Sequence, residues 1–249
     1  MSQALQGKIA LVTGGSTGIG LGIARQFVNE GAFVFITARR QAQLDDALAE
    51  LGANALGIQA DVADLGALDS LFARIKEHKG HLDIVVANAG GGELLGLADI
   101  TEEHYDRTFN INVKGVLFTV QKALPLLAKG ASVILTGSTT SAIGGKNFSV
   151  YSATKAAIRN FARSWIQDLE GQDIRVNVLS PGPVKTPGLL GLVASEQQQA
   201  LVDSFAALVP LGRVGHPDEI GKAAVFLASD AASFVNGAEL FVDGGQAQI

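Results

Sequence analysis

The chain contains 249 residues, 47% of them hydrophobic, and its formal net charge at pH 7 is −5. This length and apolar content suit one large buried core, so we expect a single domain over residues 1–249. The longest basic run is the pair Arg39–Arg40, which argues against a nucleic-acid-binding surface. Cysteine is absent, and this excludes disulfides, thiol nucleophiles and thiolate metal sites.

Neither a leader nor a membrane span is expected. The start, "MSQALQGKIALVTGG", lacks a basic leader, and its short apolar run leads directly into glycines, unlike a signal peptide. The long uncharged stretch between Lys129 and Lys146 is interrupted by Gly, Ser and Thr, which argues against a membrane-spanning helix. We therefore expect a cytoplasmic protein.

Short apolar runs alternate along the chain with segments of helical periodicity, such as Asp64–Lys79 and Thr101–Lys129. The runs are continuous rather than alternating, which is typical of parallel strands buried on both faces. Strand and helix in repeated succession predict an α/β fold, a single-domain, Rossmann-like, doubly wound parallel sheet of about seven strands with helices on both faces. The predicted strands lie in "KIALVTG", "FVFITA", "ALGIQAD", "LDIVVANAG", "ASVILTG", "IRVNVLSPG" and "ELFVDGG".

One region interrupts this rhythm. Residues 181–217 contain five of the six prolines, and long irregular insertions in compact domains are often lids or binding loops. A plain surface connection is the alternative, but the middle of the segment is too apolar to favour it. We expect residues 186–210 to form a substrate-binding region, or to pack against a neighbouring subunit.

A glycine-rich turn follows the first predicted strand and opens a helix. Gly14, Gly18 and Gly20 allow a tight turn and a close approach of the backbone to a pyrophosphate, and a helix N-terminus favours anionic phosphate. A tight strand–helix turn without a ligand is the alternative. Its place at the first strand–helix junction favours dinucleotide binding.

A tyrosine and a lysine stand four residues apart within a predicted helix, at Tyr151 and Lys155, so they share one helix face. An ordinary surface contact is the alternative, but no acid lies within a turn to pair with the lysine. An ammonium beside a phenol stabilises the phenolate and lowers its pKa from about 10. Tyr151 is therefore a candidate general acid and base.

Together these motifs resemble the short-chain dehydrogenase/reductase family. The turn reads T-G-x-x-x-G-x-G from Thr13 to Gly20, and it is followed by "ANAG" at 87–90, Ser138, Tyr151-x-x-x-Lys155, "PGPVKTP" at 181–187 and "DGG" at 243–245. The order is that of the family and covers nearly the whole chain. The resemblance implies a seven-stranded parallel sheet, a nicotinamide dinucleotide and a homotetramer.

The resemblance also implies two further catalytic residues. Ser138, thirteen positions before Tyr151, would help to hold the substrate oxygen, although turn chemistry is an alternative for a serine there. Asn112 fits the family asparagine better than Asn110, and would anchor a water that links Lys155 to solvent. A plain helix-interior asparagine is the alternative for Asn112.

The residues after the second strand predict which dinucleotide binds. An acid often holds the adenosine ribose hydroxyls there, but this chain has Ala38 followed by Arg39 and Arg40. A guanidinium can bind a 2′-phosphate through paired hydrogen bonds, so we expect NADP(H) to be preferred over NAD(H). Thr17 stands where some NADP-binding relatives carry a basic residue, so we expect a preference rather than exclusivity.

Other cofactor contacts are carried over from the resemblance alone. Asp61 and Val62 would contact the adenine, with a helix N-cap as the alternative role for Asp61 or for nearby Asp64. Segments after the fourth and sixth strands would lie along the nicotinamide half. The implied set is Gly14, Ser16, Thr17, Gly18, Ile19, Gly20, Arg39, Arg40, Asp61, Val62, Asn88, Ala89, Gly90, Tyr151, Lys155, Pro181, Gly182, Val184 and Thr186.

The combined reading is an NADPH-preferring oxidoreductase that reduces a ketone to a secondary alcohol. A 3-oxoacyl-[acyl-carrier-protein] reductase is the nearer alternative, and a non-catalytic NADP-sensing binding protein the more distant one. The four histidines lie outside the motif positions, and no H-E-x-x-H spacing predicts a metal. The sequence does not specify the substrate, the product stereochemistry or the physiological direction.

Overall fold

Seven parallel strands form one sheet in the computed structural model, which describes residues 3–248. The order across the sheet is β3-β2-β1-β4-β5-β6-β7, and every neighbouring pair is parallel. The predicted single-domain, doubly wound sheet is therefore confirmed, while residues 1, 2 and 249 of the predicted domain lie outside the described residues. The strands are β1 (Ile9–Thr13), β2 (Phe33–Ala38), β3 (Ala55–Gln59), β4 (Leu82–Ala87), β5 (Leu127–Thr136), β6 (Arg175–Pro181) and β7 (Glu239–Val242).

Helices cover both faces of this sheet, because the strand residues alternate between two apolar surfaces. Ala10 and Val12 of β1 face the core under α1, α2 and α9, whereas Ile9 and Leu11 face the core under α3. A third cluster joins α5 and α6 to β5 and β6. The helices are α1 (Gly18–Asn29), α2 (Gln41–Leu51), α3 (Leu65–Lys79), α4 (Glu102–Phe109), α5 (Gly115–Ala123), α6 (Ser149–Asp168), α7 (Pro187–Leu190), α8 (Gln198–Ala206) and α9 (Pro217–Ala228).

The order of the strands reverses between β1 and β4, which lie side by side. In open parallel sheets, ligands bind outside the carboxyl ends of the strands at such a switch point. The glycine-rich turn follows β1 and the "ANAG" stretch ends β4. Both predicted cofactor segments therefore lie at the position that the topology favours for a dinucleotide.

The predicted helix over Thr101–Lys129 is wrong in extent and continuity. Thr101 is the N-cap of α4, and a π-helical turn over Asn110–Lys114 separates α4 from α5. The helical path ends in a 3-10 turn at Leu124–Leu126, and β5 begins at Leu127. Pro125 lacks the N–H that would continue the α-helix, and pairing of Leu127 with Leu82 draws the next residues into the sheet.

The region predicted for the substrate, 186–210, contains α7, a 3-10 turn at Ser195–Gln197 and α8. Neither short helix has a fully buried residue, although the region is rich in leucine. It therefore lies over the body of the protein rather than within the core. Its part in binding a substrate stays a prediction.

No helix within residues 3–248 has both the length and the apolar content that a membrane crossing requires.

Candidate active site

The glycine-rich turn after β1 depends on glycine at two positions for different reasons. Gly14 has a φ of 64°, in the left-handed region that side chains with a Cβ rarely adopt. At Gly20 an added Cβ would lie 2.1 Å from the Gly14 carbonyl oxygen. The turn therefore brings its own backbone into close contact, and it exposes peptide groups rather than side chains at the start of α1.

The N-terminus of α1 leaves its backbone donors open. Thr17 is the N-cap, but its side chain makes no capping hydrogen bond, and no acidic residue lies in the first turn. Ser16 is buried beside the turn, Ile19 packs against the core, and Thr186 lies 3.3 Å from where a Cβ on Gly18 would be. Unsatisfied N–H groups at a glycine-rich helix start fit a pyrophosphate.

Asn88 ties together the ends of three strands. Its Nδ2 donates to the carbonyl oxygens of Thr13 (3.0 Å) and Gly14 (3.3 Å), and its Oδ1 accepts from Thr136 Oγ1 at 3.3 Å. The backbone N–H groups of Asn88 and Ala89 both donate to Thr13 Oγ1 at 3.0 Å. These hydrogen bonds fix the carboxyl ends of β1, β4 and β5 relative to one another.

Tyr151 lies near the start of α6 with its ring stacked on Phe148, at a centroid distance of 4.4 Å and an interplanar angle of 26°. Burial raises the pKa of the Tyr151 phenol, and a hydrogen bond with Ser138 opposes that rise. The phenol is therefore neutral at physiological pH and able to donate a proton.

Ser138 follows β5 and is buried. Its Oγ accepts from Thr140 N at 3.2 Å and from Thr140 Oγ1 at 3.0 Å. The turn chemistry considered as an alternative is thus present together with the contact to Tyr151. Because both acceptor positions of Ser138 Oγ are used by Thr140, its single proton is directed at the Tyr151 phenol oxygen, which is why this contact lowers the pKa of the phenol.

Lys155 is 4% exposed, and burial lowers its pKa from 10.5 to about 8. Its Nζ donates to the Thr136 carbonyl oxygen at 2.7 Å and lies 5.5 Å from the centroid of the Tyr151 ring. It also lies 3.6 Å from where a Cβ on Gly90 would be. One of three ammonium donors is used by Thr136, so two remain for a ligand.

The expected lowering of the Tyr151 pKa by Lys155 is wrong for this structure. Removal of the phenol from water raises that pKa, because burial disfavours the charged form. The nearby ammonium is directed to the Thr136 carbonyl. Desolvation therefore outweighs the attraction between the two groups.

Asn112 lies in the π-helical turn and is 1% exposed. Its Oδ1 accepts from Gly91 N at 3.0 Å, and its Nδ2 donates to the Gly91 carbonyl at 2.8 Å and to Thr154 Oγ1 at 3.1 Å. The side chain therefore holds the loop after β4 against α6. π-helical turns occur often at functional sites because they redirect side chains.

The two arginines after β2 differ in their surroundings. Arg40 donates to Gln43 Oε1 at 2.9 Å, whereas the Arg39 guanidinium makes no hydrogen bond or ion pair within residues 3–248. Gly15 N donates to the Thr37 carbonyl at 3.1 Å, so the end of β2 lies beside the glycine-rich turn. Arg39 is thus exposed next to the predicted phosphate site.

The two aspartates after β3, Asp61 and Asp64, differ in their hydrogen bonds, and only one of them is a helix N-cap. Asp64 is the N-cap of α3 and accepts from Gly66 N and Ala67 N, at 2.8 and 3.2 Å. Asp61 accepts from Ala63 N at 3.0 Å, which is turn chemistry, and leaves its second carboxylate oxygen available. Val62 is buried against Gly115.

The segment after β6 runs beside β7. At Gly182 an added Cβ would lie 2.8 Å from Asp243 Cα. Val184 forms an isolated parallel bridge with Gly215, in which Pro183 and Lys185 supply the hydrogen-bonding groups. Thr186 caps α7 by accepting from Leu189 N at 3.0 Å. Pro181 ends β6, and the segment then reaches the glycine-rich turn, where Thr186 lies beside Gly18.

Three contributors at this site are absent from the sequence predictions: the Thr136 carbonyl, the Thr154 hydroxyl and the glycine at position 92. A backbone carbonyl has no side-chain signature that a sequence could show. Thr154 stands three residues from Tyr151 on the same helix, and that spacing is a signal that could have identified it.

Comparisons with known proteins match almost the whole chain. The model of a family described as "Enoyl-(Acyl carrier protein) reductase" matches residues 14–247. The chain is 49% identical to the oxidoreductase asL5 of Sarocladium schorii, over 99% of this chain and 98% of that protein. It is 36% identical to a hydroxynaphthalene reductase-like protein of Metarhizium majus, over 98% of this chain and 96% of that protein.

Two solved structures share the fold over almost the whole chain. One is a short-chain dehydrogenase/reductase of Brucella melitensis, titled glucose/ribitol dehydrogenase, with a TM-score of 0.92, 31% identity and 99% coverage of both chains. The other, from Serratia marcescens, has a TM-score of 0.90 and 32% identity, with 98% and 99% coverage. The chain belongs to the short-chain dehydrogenase/reductase family and is an NAD(P)-dependent oxidoreductase.

Proposed function

We propose that this enzyme reduces a ketone to a secondary alcohol, in a reversible reaction, with NADPH preferred over NADH. The arrangement of Ser138, Tyr151 and Lys155 carries the proposal, since a neutral phenol, a hydroxyl that bonds to it and a buried ammonium meet at one place. The nicotinamide cofactor, when bound, supplies the hydride, and the protein supplies position and protons.

Tyr151 is the general acid in this proposal. Its phenol donates a proton to the substrate oxygen as negative charge develops there, and accepts the proton in the reverse direction. When a substrate is bound, the Ser138 hydroxyl proton turns from the Tyr151 oxygen to the substrate oxygen, and this hydrogen bond stabilises that charge. Lys155 restores the proton and adds positive charge beside the phenol.

Asn112 supports the proton supply by position. Its side chain holds Gly91 and Thr154, and these contacts place the loop after β4 next to Lys155. We keep the proposal that a water bound at Asn112 links Lys155 to solvent. The remaining members of the implied set line the glycine-rich turn and the ends of β3, β4 and β6, where they would hold the cofactor.

Arg39 accounts for the preference for NADPH. An exposed guanidinium without a protein partner is able to bind a 2′-phosphate bidentately, and Ala38 presents no carboxylate to oppose it. Replacing Arg39 with Ser is expected to raise KM for NADPH about tenfold and to leave KM for NADH unchanged. Arg40→Ser, which removes a guanidinium already bonded to Gln43, is expected to have the smaller effect.

The function is tested by cofactor oxidation in the purified protein. NADPH and NADH are supplied separately with aryl ketones, diketones, steroids and acetoacetyl thioesters, and Tyr151→Phe is the control. Turnover of a ketone that favours NADPH and is lost in Tyr151→Phe is expected. A strong preference for NADH would overturn the role of Arg39, and tight NADPH binding without any turnover would favour the sensing protein.

A 3-oxoacyl-[acyl-carrier-protein] reductase is the second candidate. The description of the matching family model names an enoyl reductase, so it supports a carrier-protein substrate but not the 3-oxoacyl group. Two thioester substrates separate the possibilities. Preference for a 3-oxoacyl thioester over every free ketone would support the 3-oxoacyl alternative. Reduction of an enoyl thioester, whose reacting group is a C=C bond, would contradict ketone reduction as the main activity.

We also propose a homotetramer. Several large apolar side chains are solvent-exposed in the single chain, among them Phe234, which is fully exposed, and Phe226 on α9. Contiguous exposed apolar surface marks protein interfaces, and we propose that these side chains contribute to one. Tyr105 on α4 is also exposed, beside the helices that carry Asn112 and Tyr151.

A further inference from the structure

The ring of Tyr151 is enclosed by a residue on each of two loops. Phe148, which precedes α6, stacks on the ring at 4.4 Å. Gly92, in the loop after β4, lies at the rim of the stacked pair. An added Cβ at Gly92 would be 2.6 Å from Tyr151 Cδ2 and 2.9 Å from Phe148 Cε2. There is thus no space for a side chain at position 92.

Gly92 is held there by its neighbours on both sides. Gly91 exchanges two hydrogen bonds with the Asn112 side chain, at 3.0 and 2.8 Å. Glu93 accepts two hydrogen bonds from Arg107 Nη2, each 2.9 Å long. Charge-assisted bonds of this kind fix geometry as well as energy.

The two loops are also joined to each other. Leu95 N donates to the Asn147 carbonyl at 2.8 Å, one residue before Phe148. Asn147 has a φ of 60°, a left-handed conformation that is uncommon outside glycine. This turn aims the Phe148 side chain at the ring of Tyr151.

We propose that Gly92 and Phe148 form a clamp that fixes the orientation of the Tyr151 ring, so that both are positioning residues for the general acid. The role of Tyr151 as that acid rests on the proposed function, but the clamp itself does not. Burial raises the pKa of the phenol, and the stacked Phe148 ring is one of the groups that cover it. A fixed ring holds the proton in line with the substrate oxygen, and small displacements of such groups slow reactions strongly.

The chain offers a direct spectroscopic test, since it has only two tyrosines. In a Tyr105→Phe background, Tyr151 is the only phenol, and its ionisation is read from phenolate absorbance after rapid pH jumps, before the chain unfolds. Phe148→Leu keeps most of the apolar volume and removes the stacked ring. We expect the Tyr151 pKa to fall towards its ordinary value of about 10, while kcat falls about tenfold or more.

Adjacent glycines supply a matched pair of variants for the same measurement. Neither Gly91 nor Gly92 has a positive φ, so alanine suits the backbone at both positions. An added Cβ at Gly91 meets nothing within 4 Å, so Gly91→Ala should keep the titration and melting temperature of the parent. Gly92→Ala should displace the ring and move the Tyr151 pKa in the same direction as Phe148→Leu.

The outcomes separate the clamp from the function. Phe148→Tyr, which restores an aromatic ring, should recover kcat in the kinetic assay. Titrations that coincide in the parent, Phe148→Leu and Gly92→Ala would overturn the clamp even if ketones are reduced. A shifted titration in a protein that reduces no ketone would support the clamp and count against the proposed function instead. Phe161→Leu, which breaks the other stacked pair on α6, should leave the titration unchanged.

Discussion

At the scale of single residues, the site depends on side chains that are buried with their polar groups satisfied. Lys155, Thr154 and Asn112 are each at most 4% exposed, and each has a hydrogen-bond partner. Buried polar groups cost stability unless they are paired. Their partners are therefore part of the site, although most of them carry no chemistry.

Burial of Lys155 should make folding stability depend on pH. Its pKa is lowered to about 8 in the folded chain, so the unfolded chain binds more protons than the folded chain between about pH 8 and 10.5. Stability therefore rises with pH across this interval, and the penalty for the buried charge is fully present below it. From pH 7 to 9.5, the free energy of unfolding should gain roughly 2 kcal/mol relative to Lys155→Met.

Urea denaturation of the cofactor-free protein at the two pH values measures this gain. Lys76→Met, which removes an exposed lysine from α3, is the matched control and should follow the wild-type curve. Tyr151, whose pKa is raised, keeps its proton throughout this range. A constant difference between wild type and Lys155→Met would contradict the prediction.

Removal of the Thr154 hydroxyl should weaken both stability and activity. Thr154 Oγ1 donates to the Tyr151 carbonyl at 2.6 Å and accepts from Asn112 at 3.1 Å, in a fully buried position. Thr154→Val keeps the shape of the side chain but removes the hydroxyl oxygen to which Asn112 Nδ2 donates. The expected cost is about 1–3 kcal/mol in urea denaturation, with a lower kcat. Thr154→Ser retains the hydroxyl and should recover most of both; equal losses in the two variants would speak against this account.

At the scale of elements, α1 and α9 pack directly against each other at positions where both helices have glycine. An added Cβ on Gly221 would lie 2.5 Å from the Gly22 carbonyl oxygen, and one on Gly22 would lie 2.6 Å from Pro217 C. This contact sets the distance between the helix that begins at the glycine-rich turn and its neighbour. The sequence predicted a helix after the glycine-rich turn, but it contained no information on this close approach.

Alanine at Gly221 should therefore force the two helices apart. We expect a loss of roughly 1–3 kcal/mol in the free energy of unfolding, as for other overpacked sites, and weaker cofactor binding because α1 moves. Gly66→Ala, in the first turn of α3, meets only an ordinary contact and should be neutral or stabilising by helix propensity. Thermal melts and cofactor titration compare the two variants, and equal melting temperatures would refute the idea.

The middle helix shows where sequence reasoning failed at this scale. A single helix over Thr101–Lys129 is the simplest interpretation of that pattern, yet α4 and α5 are separated by the π-helical turn. The turn carries Asn112, whose three hydrogen bonds reach Gly91 and Thr154. Tertiary hydrogen bonds of this kind override local helix propensity, and the sequence of the segment contains no signal that predicts them.

At the scale of the whole molecule, the proposed tetramer would bury apolar side chains that are exposed in the single chain. Phe234 is fully exposed in the single chain, and we propose that it is covered by a neighbouring subunit. Wild type should have the mass of a tetramer in light scattering after gel filtration, and Phe234→Asp should shift it to a smaller species. Leu97→Asp, at a residue 85% exposed in the loop before α4, should retain the tetramer. A wild-type monomer would refute the assembly.

The sequence alone determined the fold class, the family and the identity of most candidate residues. These follow from local signals: continuous apolar runs for buried parallel strands, glycines at a strand–helix turn, and a tyrosine and a lysine one helical turn apart. Such signals are readable because each depends on residues close together in the chain.

Only the tertiary structure decided how those residues are tuned. The raised pKa of Tyr151, the direction of Lys155 towards the Thr136 carbonyl and the lack of space at Gly92 all arise between segments far apart in sequence. Desolvation depends on what surrounds a group in space, and a backbone carbonyl has no signature in the sequence. The order of the motifs thus indicates the type of reaction. Packing sets the protonation state and the orientation of the side chains on which that reaction depends.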